Sequence, residues 1–499
     1  MSDLLSYEDY QALAAELTLP RASHIDGGYH ACSGDNLKIE NPAIGDLLCE
    51  IAMAEEQDVN LAVDKAREAF DQGIWSECHP ATRKEVLITL AKLMKRHRHQ
   101  LAVLESIDSG KPVQDCALID IPESINTLIW HAEAIDKIYD QKAPAGPDAL
   151  AVIERAPIGV VACVLPWNFP LLMLSWKLGP ALAAGNSLIV KPAEQTPLSA
   201  LYLAQLAAEA GIPRGVFQVL VGDGPTTGQA LGLHGDIDMV SFTGSTETGK
   251  RFLGYSAQSN MKQVTLECGG KNASIVMDDA EDLEVIASHI AMGAFWNLGQ
   301  NCSAISRLIV HTDIKEALVD KLRAHVKEWR MGDPLNPSNK LGVVVEKAHE
   351  AKIRHYLDIA KSDGLDVLAG SISDEIAPVI IDIPDASHPL AVEEVFGPVL
   401  SVITVRSLDE AVLIANRSDY GLAASLFTSN MKRGLRAARA IKAGTVTVNS
   451  YGEGDITTPF GGYKQSGFGG RDNGLAAHDQ FTEVKTIWVD LSDNAPDEM

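Results

Sequence analysis

The stretch NLGQNCSAISR, residues 297–307, sets Cys302 among small and polar neighbours, just after Gly299, Gln300 and Asn301 and behind a helix-like run. A thiol becomes a useful nucleophile when its pKa of about 8.5 is lowered or when a base stands beside it. VTLECGGKN (264–272) offers a base: Glu267 ends a strand-like run ahead of Gly269 and Gly270, which let backbone or ligand approach closely. VLPWNFP (164–170) holds Asn168 between prolines that stiffen its loop, a suitable place for a preorganised amide donor. Nucleophile, base and oxyanion donor are the minimum for acyl chemistry through a thioester. Singly, each residue has a plainer reading: a small buried thiol, a salt-bridging surface carboxylate, a turn residue. Cys268, at a tight strand exit, and Cys163, inside a strand, read as packing.

Phosphate recognition is the other ingredient. FTGSTETGK (242–250) runs from a strand into a helix, whose first amides suit a pyrophosphate. It does not match the GxGxxG fingerprint and is weak alone. In VKPAEQTP, Lys191 and Glu194 follow another strand. A carboxylate there accepts from ribose hydroxyls and repels a 2′-phosphate, which favours NAD over NADP; the plainer reading is a charged, solvated turn.

The elements that must position these residues follow a pattern. Residues before about 130 read mainly as helices, such as 58–72 and 81–106, from apolar spacings of three and four. Strand–helix units then alternate: strands at 158–165, 187–191, 215–222 and 237–244, each followed by a helical segment. This implies an α/β fold with a mostly parallel sheet, where ligands bind beyond the carboxyl ends of the strands. Asn168, Lys191, Glu194, Gly244 and Ser245 all fall just past strand ends. From about 270 a second strand–helix series begins, a second α/β domain. Residues 139–159, with a Pro- and Gly-bearing turn and a strand-like run, break the alternation and read as an excursion. The alternating run at 483–491 suits an exposed sheet edge in need of a partner.

The 499 residues suffice for two or three domains. Their 42 Lys and Arg against 67 Asp and Glu give a net charge of −25, which argues against nucleic acid and anionic membranes as partners. No run reaches the ~20 apolar residues of a membrane span; 171–185 comes nearest, interrupted by Lys177 and Pro180. The N-terminus does not resemble a targeting peptide. The 7 cysteines are scattered with no CxxC pair, so no metal site is expected, and a reduced, cytoplasmic location is.

Together, PWNFP, KPAEQTP, FTGSTETG, LECGGK, GQNCSAISR, EEVFGPV, YGLAAS and PFGGYKQSG resemble, in order and separation, the NAD(P)-dependent aldehyde dehydrogenase superfamily over nearly the whole chain. The resemblance implies a parallel-sheet NAD-binding domain (1–138 and 158–268), an α/β catalytic domain (269–466) and a small β oligomerisation arm (139–157 and 481–499), in a homodimer or homotetramer. It implies that Cys302 attacks the aldehyde to give a thiohemiacetal while Asn168 and the Cys302 amide hold the oxyanion. Hydride passes to NAD, and Glu267 activates water to hydrolyse the thioester. Lys177 and Asp472 would relay the proton. Pro166, Trp167, Lys191, Glu194, Gly228, Gly244, Ser245, Glu394 and Phe396 would bind the cofactor. Some relatives with a glutamate at the Glu194 position use NADP as well. There are two departures: Cys268 occupies the variable position of the family's LExGGK, and SGFGGR has an extra glycine (Gly469 or Gly470), which bears on Arg471 and Asp472.

The C-terminal run from PFGGYKQSG onward and the segment 119–140 look most like the branch acting on γ-glutamyl-aminobutyraldehyde and other ω-aminoaldehydes of polyamine breakdown. Asp120 matches an acidic position that related enzymes use near the substrate amine; it reads equally as a surface charge on a helix. Phe169, Trp176, Trp296, Tyr451 and Phe460 fall where the family builds its substrate tunnel. They suit an amine through cation–π contact, or an aryl or indolyl aldehyde. A CoA-acylating enzyme would usually lack Glu267, and a silent structural relative would lack one of Cys302, Glu267 and Asn168.

Overall fold

The computed structural model describes residues 4–492. Residues 1–3 of the first expected segment and 493–499 of the expected arm lie outside the described residues.

Apolar runs such as VVACV and SLIVK are buried along their full length. Such runs suit parallel strands covered on both faces. They form one sheet in the spatial order 28–30, 23–25, 217–219, 187–191, 160–164, 239–243, 263–267, 467–468. The strands from 217–219 to 263–267 run parallel, and the outer pairings are antiparallel. Numbered along the chain from Val160–Val164, the parallel strands lie in the order 3-2-1-4-5. The order reverses beside 160–164, and the crevice beyond the carboxyl ends there is where such sheets bind ligands. Pro166 and Trp167 follow one strand at that crevice, Gly244 and Ser245 the other.

The second sheet has the order 367–369, 379–382, 399–405, 305–311, 272–276, 423–427, 445–448, parallel except at its first pair. A third pairs Thr482–Asp490 with Ala149–Pro157, which pairs in turn with Gln141–Ala143. Thus the 139–157 excursion and the C-terminal run meet in one antiparallel sheet, whose outer strand exposes Val484 and Trp488.

Three segments differ from expectation. The 81–106 helix is two, Pro80–Arg96 and Arg98–Ser109, because His97 leaves helical geometry. The helical N-terminal region also contains strands at 23–25, 28–30, 36–40 and 47–52. Residues 467–468, beyond the expected end of the second domain, return to the first sheet beside Glu267.

Candidate active site

Asn297, Leu298 and Gly299 have φ of +51°, +57° and +68°. Asn and Gly adopt this left-handed region readily, a leucine rarely. Leu298 is held there because its side chain is buried in the core of the second sheet. The turn breaks the helix Leu283–Phe295 and delivers Cys302 ahead of the strand Ile305–His311. Asn272, first residue of the neighbouring strand, fixes this delivery by donating from Nδ2 to the carbonyls of Cys302 (2.7 Å) and Ala304 (3.0 Å). Gly270 lies so close that a Cβ there would meet the Cys302 carbonyl at 2.5 Å.

Asn168 is bound into the same loop. Its Nδ2 donates to the Gln300 carbonyl at 3.0 Å, and Asn297 Nδ2 donates to the carbonyls of Asn168 (3.0 Å) and Gln300 (3.2 Å). The amide is thereby oriented before any substrate arrives, as oxyanion stabilisation requires. Glu267 ends the strand Gln263–Glu267, with Oε2 buried and unpartnered among the described residues. Burial, then the charge of Asp472, holds its carboxyl well above the usual range; Lys177, Arg471 and the Gly462 amide oppose this. Cys302, Glu267 and Asn168 line one cavity of about 230 Å³. Burial, then the charges of Glu453, Glu394 and Glu267, push the Cys302 thiol well up, so it is protonated at neutral pH and needs a base.

The helix Pro170–Ala184 is apolar all round and wholly buried, yet carries Lys177. Lys177 Nζ stands 3.4 Å from Asp472 Oδ2, and Gln480 Nε2 donates to Asp472 Oδ1 at 3.1 Å. With the extra glycine in place, Asp472 reaches Lys177. Gly469 and Gly470 press on the strand that carries Glu267, where a Cβ would meet the Val264 carbonyl at 2.3 Å and Thr265 at 2.9 Å respectively.

The cavity continues into a cleft of about 430 Å³ along the switch point, sharing Pro166, Trp167, Gly244 and Ser245. Lys191, Glu194 and Gly228 line its far end. Lys191 Nζ donates to Glu194 Oε2 (3.4 Å) and the Pro192 carbonyl (3.1 Å). Ser245 caps the helix Thr246–Gln258, accepting from the Thr248 amide at 3.2 Å and leaving the first amides open. At the near end Glu394 Oε1 accepts from the Gly270 amide at 2.7 Å, an approach that Gly269 permits, since a Cβ there would lie 2.2 Å from Glu394. Phe396, with φ +58°, packs edge-on against Trp167 at 5.4 Å. The donors lining this cleft and its place at the switch point fit a dinucleotide. Among the described residues, no group of three or more His, Cys, Asp or Glu is arranged to hold a metal ion.

Beyond Cys302 lies an aromatic layer of Phe169, Trp176 and Phe460, with Trp296 and Cys302 packed against it. Trp176, Trp296 and Tyr451 face a further cavity of about 330 Å³; Phe169 and Phe460 lie behind its wall. Asp120 does not line that cavity, nor is it a surface charge. It is fully buried and paired with Lys111 at 2.5 Å. The Lys111 ammonium lies 3.7 Å from the Phe169 ring centre and 4.9 Å from that of Trp296. Trp296 Nε1 donates to Asp115 at 3.0 Å.

Residues 29–487 match the Aldehyde dehydrogenase family. The chain belongs to that family. An aminoacetaldehyde dehydrogenase of Pseudomonas aeruginosa is 55% identical over 99% of this chain and 100% of its own. The crystal structure of a γ-glutamyl-γ-aminobutyraldehyde dehydrogenase of Burkholderia cenocepacia superposes with a TM-score of 0.95 at 43% identity, covering 98% of this chain and 100% of that one. An indole-3-acetaldehyde dehydrogenase of P. syringae, solved with NAD+ and IAA, gives 0.96 at 42% identity over the same shares. Like these aldehyde dehydrogenases, the chain is an aldehyde-oxidising enzyme, and no helix among its described residues is long and apolar enough to cross a membrane.

Several lining residues escaped the sequence reading. His349 and Lys352 join Cys302 in the inner cavity from a helix with no motif of its own. Glu123, Glu453 and Asp455 line the outer one. The signal for the last two was the acidic, Gly-rich YGEGD between Tyr451 and PFGG. Lys111 and Asp115 had no signal beyond lying close to Asp120 in sequence.

Proposed function

We propose that this enzyme oxidises ω-aminoaldehydes to their carboxylates with NAD. The observation that carries the chemistry is the convergence of Cys302, Glu267 and Asn168 on one cavity that opens into a dinucleotide-shaped cleft. The Cys302 sulfur adds to the aldehyde carbon, its proton leaving to a base in the cavity. The Asn168 amide and the Cys302 backbone N–H hold the oxyanion of the thiohemiacetal. Bound NAD supplies a hydride acceptor for that carbon. Glu267 takes the proton of a water that attacks the resulting thioester, and Lys177 with Asp472 passes it on. Lys191 and Glu194 hold the adenosine ribose, Gly228, Ser245 and the helix amides the pyrophosphate, and Glu394 with Phe396 the nicotinamide side. The presence of Glu267 supports hydrolysis over transfer to CoA.

The amino-substrate reading is supported by relatives named for aminoacetaldehyde and γ-glutamyl-γ-aminobutyraldehyde, and by an outer cavity whose described lining holds Glu123, Glu453 and Asp455 but no Lys or Arg. Its aromatic walls, with the indole-3-acetaldehyde relative, favour a second reading, an aryl or indolyl aldehyde. On this reading the first sheet carries NAD, the second the thiol, and the three-stranded sheet joins copies through its exposed edge. The seven free thiols suit a reducing, cytoplasmic setting. Initial rates of NADH formation with γ-aminobutyraldehyde, its γ-glutamyl conjugate, indole-3-acetaldehyde and hexanal test the function. The highest kcat/KM is expected for an amino compound, and Cys302→Ala is expected to abolish turnover while NAD still binds. Turnover by that variant would overturn the mechanism.

A further inference from the structure

An amino substrate brings a cation past the aromatic layer, and the protein must meet it there. The residue singled out by sequence, Asp120, is spent: its carboxylate is buried against Lys111. One ring of the aromatic wall, Trp296, is engaged as well, and so is Phe169 behind it. Lys111 already sits at the faces of Phe169 and Trp296. A cation on one face of a ring draws on the same electron density that a second cation on the other face would use.

Glu453 differs. It lines the outer cavity beside Trp296 and Tyr451 and accepts a hydrogen bond from the Ser303 hydroxyl through Oε1. Ser303 is the residue after Cys302, so this contact ties the carboxylate to the chain beside the reacting thiol. Glu123 and Asp455, both exposed, extend the acidity outward.

We propose that Glu453 receives the distal ammonium of a short ω-aminoaldehyde whose carbonyl lies at Cys302, and so separates amino from neutral aldehydes. This rests on the aminoaldehyde reading above.

The test compares 3-aminopropanal with butanal, in which a methyl group replaces the ammonium, in wild type, Glu453→Gln and Glu453→Asp. The readout is the ratio of the two kcat/KM values, from which any general damage cancels. Wild type is expected to favour 3-aminopropanal, Glu453→Gln to lower the ratio at least tenfold, and Glu453→Asp to keep most of it. Propylammonium is expected to compete with butanal in wild type and to lose potency in Glu453→Gln. A wild-type ratio near one would sink the aminoaldehyde reading itself. A high ratio that survives in Glu453→Gln, including a parallel loss on both aldehydes, would overturn the assignment to Glu453 alone.

Discussion

Lys177 Nζ and Asp472 Oδ2 stand 3.4 Å apart, both buried, and the charges of both act on Glu267. They come from distant parts of the chain: Lys177 from a wholly buried helix, Asp472 from the segment that follows the strand paired to that of Glu267. The backbone of Asp472 also pairs with Phe460, with N–H···O distances of 2.6 and 2.8 Å in the two directions. The proposed proton path and the aromatic layer are therefore tied together. Glu267 feels the two charges in opposite senses, since Asp472 raises its pKa and Lys177 lowers it.

The pH dependence of thioester hydrolysis should report this opposition. Glu267 works as a base only when deprotonated, so its raised pKa puts the rising limb above the usual carboxylate range. Lys177→Gln removes the cation that favours the carboxylate and should move the limb to higher pH by roughly one unit. Asp472→Asn removes a like charge and frees Lys177, so the limb should move down. Both variants should hydrolyse slowly, and acid-quench measurement of the acyl enzyme across pH distinguishes them. Shifts in the same direction would mean that the pair does not tune Glu267 in this way.

Glu267→Gln should separate the two halves of the reaction. On the proposed mechanism acylation draws on Cys302, Asn168 and a base for the thiol proton, whereas hydrolysis draws on Glu267. Rapid mixing should give a burst of NADH close to one equivalent per active site, followed by a steady rate lower by about 10²–10⁴-fold. Acid quenching should trap the substrate on Cys302. Absence of a burst would show that Glu267 is also required before hydride transfer.

Much of this was legible in the sequence because parallel sheets place ligand-binding residues just past strand ends. Asn168, Lys191, Glu194, Gly244 and Ser245 needed only the alternation of strand and helix to be put in one crevice. The return of 467–468 to the first sheet was not legible, since two residues carry no periodicity. Asp120 shows the harder limit. Its charge could be read, but its partner Lys111 lies on the loop before the turn that carries it, and a buried ion pair leaves no pattern in the residues. Glu453, between Gly452 and Gly454, has no periodic or motif signal of its own, and only the fold shows it lining the cavity.

Cofactor choice should be adjustable at Glu194. Its carboxylate, held by Lys191 at 3.4 Å, stands where a ribose is proposed to bind and would face a 2′-phosphate with like charge. Glu194→Gln removes the repulsion and leaves Lys191 free to meet the phosphate. The kcat/KM for NADP should rise about tenfold relative to NAD, or roughly 1.4 kcal/mol of discrimination. An unchanged ratio would place the adenosine ribose elsewhere.

The Lys111–Asp120 pair should act through the aromatic wall. Lys111→Met leaves the Asp120 carboxylate uncompensated in the interior, which costs about 3–5 kcal/mol. Burial already raises the Asp120 pKa while Lys111 lowers it, so the variant should take up a proton there and be most damaged at alkaline pH, where that proton is lost. Replacing both, as Lys111→Met with Asp120→Leu, removes the stranded charge and should recover most of the stability in urea unfolding. The double variant still lacks the ammonium that lies 3.7 Å from the Phe169 ring centre. Phe169 and Trp296 should then hold the wall less firmly, raising KM for a neutral aldehyde such as hexanal more than it lowers kcat. Equal instability of the single and double variants would show that the pair is needed for packing rather than for charge balance.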